Sequence, residues 1–99
     1  MVQEITVFDS DEFERLIHNK DIRISQALVS TILNNLTGKK RHIPVLSILV
    51  ENEQTIYDIT VDRKEFLYLL KENLPIHEKN ELYEVCAQIV KAIEKLEPK

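Results

Sequence analysis

Four consecutive residues, Lys39, Lys40, Arg41 and His42, form the one basic run in the chain. Cations this dense can hold a phosphate, a small anionic ligand or an acidic protein surface. No aromatic residue is interleaved with them to stack on bases, as single-strand binders require. The run also follows a helical pattern, where positive side chains complement the negative end of the helix dipole.

The other reactive side chains are scattered. His18, His42 and His77 show no H-x-H or H-x-x-x-H spacing and none pairs in sequence with Cys86, so neither a metal site nor a cofactor is expected. Cys86 falls on an apolar helical seam, where a thiol acts as a small hydrophobe. As a nucleophile it would need exposure and a histidine. Glu4, Asp9, Asp11, Glu12 and Glu14 crowd the first stretch. Catalytic carboxylate pairs need an enclosed pocket that separates their pKa values, whereas Asp9 and Glu12 already have the spacing of a helix cap. Asp58 lies within a strand pattern. Its charge there guards against unwanted strand pairing, or makes a polar contact in a groove.

Composition narrows the classes further. Gly38 is the single glycine among 99 residues, which excludes glycine-rich phosphate loops, dinucleotide fingerprints and a nucleophile elbow. One cysteine excludes an intrachain disulfide. The formal net charge of −4 argues against wrapping a nucleic-acid backbone. No apolar run approaches the ~20 residues of a membrane span. A lone thiol and an N-terminus without a basic-then-apolar leader fit a cytoplasmic protein.

The elements that position these residues follow from period and caps. Val2 to Phe8 reads as a short strand. Asp9 and Glu12 then open a first helix over Ser10–His18, with Phe8 and Phe13 spaced as a staple. A second helix is expected over Ile22–Thr37, carrying Val29, Ile32, Leu33 and Leu36; Ser25 is an alternative start. Gly38 then serves as a left-handed stop. Val45–Glu51 and Thr55–Val61 form an antiparallel hairpin. Leu46, Ile48 and Val50 share one face with Tyr57, Ile59 and Val61, and Val45, Leu49 and Ile56 lie on the other. Asp62 and Glu65 repeat the capping spacing, opening a third helix that Pro75 ends near Asn73. A fourth helix is expected over His77–Leu96.

The fold class is α+β, in one domain, ordered β-α-α-β-β-α-α. A small antiparallel sheet, made of the central hairpin and the N-terminal strand, packs with four helices.

On the last helix, Leu82, Cys86, Ile89, Ile93 and Leu96 keep the 4-3-4-3 spacing of a helix-pairing seam, widened by Val85 and Ala92. Tyr83, Ala87 and Val90 lie on its flank. Tyr83, Glu84, Cys86, Ala87, Ile89 and Ile93 match in type the UVR motif of nucleotide-excision-repair proteins, which this short run resembles; Glu81 and Val90 depart from it. The resemblance implies a helix that pairs with a partner helix.

The leading expectation is therefore a small non-enzymatic interaction or regulatory module. It self-associates as a homo-oligomer through Tyr83, Ala87 and Val90 of the last helix or Val45, Leu49 and Ile56 of the sheet. The alternative is a module for a small anion, nucleotide or nucleic acid, held by Lys39, Lys40, Arg41 and His42. An enzyme whose site forms between subunits would leave no motif.

Overall fold

The computed structural model describes residues 3–98. Local polar pairing sets the first elements. The Asp9 carboxylate accepts from the Glu12 N–H at 2.9 Å, and the Glu12 carboxylate accepts from the Phe8 N–H at 2.7 Å. This reciprocal pair separates strand β1 (Gln3–Val7) from helix α1 (Ser10–His18). Phe8 itself stays exposed, so the staple buries little of it.

Helix α2 (Ile22–Leu33) begins where the Asp21 carboxylate accepts from the Arg23 N–H. It ends at Leu33, short of the expected Thr37. Asn34 caps it, and Asn35 donates its backbone N–H to Ile32, tightening the chain into turns that still bring Leu36 against the core. Strand β2 (His42–Val50) follows, then a 3-10 turn at Glu51–Glu53 and strand β3 (Thr55–Asp62). Helix α3 spans Phe66–Lys79 and α4 spans Tyr83–Leu96. The order is the expected one.

The sheet is mixed rather than antiparallel. Its strand order is β1-β2-β3, with β1 parallel to β2 and β3 antiparallel to it. Parallel neighbours need a long crossover, and α1 with α2 supplies it. One sheet face packs under these two helices. Ile5, Val7, Val45, Leu46, Ile48 and Val50 meet Ala27, with Phe13, Leu16, Ile24 and Leu28 packed around them. A second cluster joins α2, α3 and α4 through Val29, Ile32, Phe66, Leu70, Ile89, Ala92 and Ile93. Helix α2 thus divides the molecule and buries opposite sides in two clusters.

Further expectations need correction. Val45 does not lie on the second sheet face. The register shifts between Pro44 and Leu46, and this bulge turns both Val45 and Leu46 into the core. Helix α3 does not stop before Pro75 but runs through it to Lys79. Phe66, Leu70, Asn73 and His77 recur at helical spacing and are all buried, so packing continues the helix where Pro75 removes a backbone hydrogen bond. Consequently α4 starts at Tyr83, not His77.

Gly38 is not a left-handed stop: no glycine has a positive φ among the described residues. The left-handed positions are Lys20, Gln54 and Glu81. A Cβ at Gly38 would instead stand 3.0 Å from Arg63 Nη2. Glycine leaves room there for the close approach of a guanidinium. The Arg63 Nε donates to the Lys40 carbonyl at 2.7 Å, Nη1 donates to the Asn35 carbonyl, and the group lies 5.1 Å above the Phe66 ring. Arg63 therefore ties the α2–β2 connection to the start of α3.

Candidate functional site

Helix α2 presents Ser25 toward α3, where it meets Asn73 and His77. All three are buried, and His77 is fully enclosed. The Ser25 hydroxyl donates to Asn73 Oδ1 at 2.7 Å. Asn73 Nδ2 donates to the Leu69 carbonyl at 2.7 Å. His77 Nδ1 lies 3.0 Å from the Asn73 carbonyl oxygen and 3.4 Å from Ser25 Oγ. A hydroxyl has one proton, and Ser25 gives it to Asn73. Both neighbours of Nδ1 are then acceptors, so Nδ1 carries the proton. A neutral ring with Nδ1 protonated has its lone pair on Nε2, which is buried and has no hydrogen-bond partner among the described residues.

This arrangement holds a ring in one tautomer; it does not activate the serine. The nitrogen facing Ser25 is the protonated one, and a base must offer a lone pair there. What remains available is the Nε2 acceptor. His77 lines a pocket of about 240 Å³ between α2 and α4, with Gln26, Val29, Ser30, Leu33, Asn34, Val85 and Gln88. A second concavity of about 400 Å³ shares Leu33, Asn34 and Gln88 with it and adds Leu36, Lys91, Ala92 and Lys95. The two adjoin between α2 and α4 through these shared residues, the inner one without a charged lining residue and the outer one with two lysines.

Sequence reasoning misses this site because a third helix that ends at Pro75 leaves His77 outside it. The 4-3-4 recurrence of Phe66, Leu70, Asn73 and His77 was the signal available.

The basic run has partial structural employment. Arg41 pairs with Asp62 at 3.2 Å, while Lys39, Lys40 and His42 are exposed. The Lys64 backbone N–H, and secondarily Arg41, hold the Asp62 carboxyl below the usual carboxylate range. Cys86 is buried on the α4 seam as expected, and burial pushes its thiol up, away from the thiolate. No group of three or more His, Cys, Asp and Glu residues suited to a metal exists among the described residues. Among them, too, no helix is long and apolar enough to cross a membrane.

Two apolar surfaces stay open. On α4, Tyr83 is 65% exposed and Val90 42%, with exposed Ala87 between them. The α4 residues Cys86, Ile89 and Ile93, which match the repair-protein motif in type, are buried within the chain's own core. On the sheet, Leu49 faces Ile56 across the β2–β3 ladder, and Ile56 is 59% exposed. Among the described residues, strand β3 has β2 on one side and no strand on the other. None of its residues is fully buried. Asp58 sits mid-strand and accepts from the Ser47 hydroxyl at 2.7 Å.

Comparison with protein-family models, with curated proteins and with solved structures gives no match.

Proposed function

We propose that this chain is an interaction module that self-associates by pairing β3 with β3 of a second copy. One observation carries this: β3 is an eight-residue edge strand whose one mid-strand charge, Asp58, is engaged by the Ser47 hydroxyl of β2. It contains no proline and no lysine, and Ile56 and Tyr57 are exposed on opposite faces.

Residues Tyr57–Val61 are self-complementary about a two-fold axis through Ile59. In that antiparallel register Ile59 meets the partner's Ile59, and Tyr57 meets the partner's Val61. These are aromatic and β-branched pairs of the kind that stabilise ladders. On the other face Asp58 meets the partner's Thr60, an acceptor opposite a hydroxyl donor. A register centred on Asp58 would oppose two carboxylates and is disfavoured. The isologous contact closes on itself and leaves no further β3 edge. Sedimentation equilibrium over a range of concentrations tests the reading. A monomer–dimer equilibrium supports it, and a single monomeric mass throughout overturns it.

A further inference from the structure

We propose that the α2–α4 groove binds a small amphiphilic acid, whose N–H or O–H donor reaches His77 Nε2 while its carboxylate sits by Lys91 and Lys95. The reasoning starts from the tautomer. Asn73 and Ser25 fix the proton on Nδ1, so Nε2 presents a lone pair and recognises a donor, not an acceptor. A buried acceptor without a partner carries an uncompensated desolvation cost, which a donor would remove.

The groove wall sets the rest of the ligand. Val29, Leu33 and Val85 offer apolar surface beside the histidine. No charged residue lines the inner pocket, so an ionised group there would be desolvated without compensation. The outer concavity holds Lys91 and Lys95 with no carboxylate among its lining residues. An anion is therefore favoured at that end alone. From Val85 to Lys91 the α4 axis rises about 9 Å. This matches a phenol or amide head joined to a carboxylate through one ring and a short chain. His77 is enclosed, so a donor reaches Nε2 only as the pocket lining yields; Gln26 and Gln88 are exposed side chains of that lining.

The test uses 3-(4-hydroxyphenyl)propionate as probe and the ¹⁵N resonances of the His77 ring as readout. Before addition, Nδ1 should read as protonated and Nε2 as unprotonated. On titration the Nε2 resonance should shift to saturation, with a dissociation constant on the order of millimolar for so small a ligand. 3-Phenylpropionate, which lacks the donor, should bind about tenfold more weakly. Lys91→Ala with Lys95→Ala, both exposed positions, should weaken the phenolic acid by a similar factor. A static His77 spectrum, a protonated Nε2, or equal affinity for the two acids would overturn the proposal. None of these outcomes depends on dimer formation.

Discussion

Ser25 and His77 lie 52 positions apart in sequence and 3.4 Å apart in the core, joined through Asn73. The contact locks α2 to α3 by polar groups inside a largely apolar packing, and it leaves one ring nitrogen unused. Ser25→Ala removes the donor from Asn73 Oδ1 and strands that oxygen in the interior. The expected cost is about 1–3 kcal/mol. Ser30→Ala, at an exposed position on the same helix, should stay within about 0.5 kcal/mol of the native chain. Urea denaturation of both variants checks the contrast, and equal midpoints would show that the buried cluster contributes nothing.

Helices α1 and α3 both end in the same way. The Lys20 N–H donates to the Ile17 carbonyl and the Asp21 N–H to that of Leu16. The Glu81 N–H donates to the Glu78 carbonyl and the Leu82 N–H to that of His77. These are Schellman caps whose left-handed residue has a side chain. Lys20→Gly and Glu81→Gly should each stabilise the fold by about 0.5–1 kcal/mol, since glycine carries no steric penalty there. Thermal unfolding is the check. A lowered Tm in both would mean that the side chains contribute more than the strain they cause.

Gly38 and Arg63 form a coupled pair. Gly38→Val inserts a branched side chain where Arg63 Nη2 would stand 3.0 Å from its Cβ. The guanidinium must then shift, which strains its bonds to the Asn35 and Lys40 carbonyls. A loss of about 1–2 kcal/mol is expected in the native background. In an Arg63→Ala background most of that loss should vanish, a coupling that a double-mutant cycle reads directly. Additive effects would separate the two residues.

Acid should weaken the fold through Asp21 and Asp62. The Arg23 side chain, as the largest effect, holds Asp21 below the usual carboxylate range, and Asp62 is held low chiefly by the Lys64 N–H. A carboxyl with a depressed folded pKa contributes stability above its unfolded value of about 4 and loses it as the pH falls through the folded value. Asp21→Asn removes that contribution. Its stability should lie below the native chain at neutral pH and converge with it as the pH falls below about 4. Parallel stability curves would contradict the assignment.

Much of the fold is legible in local signals. Asp9 and Glu12 have capping spacing and make the cap; Cys86, Ile89 and Ile93 have seam spacing and are buried. What escapes the sequence depends on distant partners. The bulge that turns Val45 inward depends on β3 registering against both sides of it. The parallel pairing of β1 depends on where two helices return the chain. Gly38 answers to Arg63 across the α2–β2 connection, while the left-handed positions fall on Lys20, Gln54 and Glu81, where no residue type announces them. The His77 site is hidden because tertiary burial carries α3 through Pro75 against the local preference.

Self-pairing of β3 is tested most directly by introducing either sign of charge at one exposed position, Thr60, and measuring the monomer–dimer constant by sedimentation equilibrium. In the register centred on Ile59, residue 60 of each copy faces Asp58 of the other. Thr60→Lys creates two opposite-charge pairs and should tighten the dimer several-fold; Thr60→Asp creates two like-charge pairs and should weaken it at least about tenfold. Equal constants for the two variants, or the reverse order, would contradict pairing through this edge.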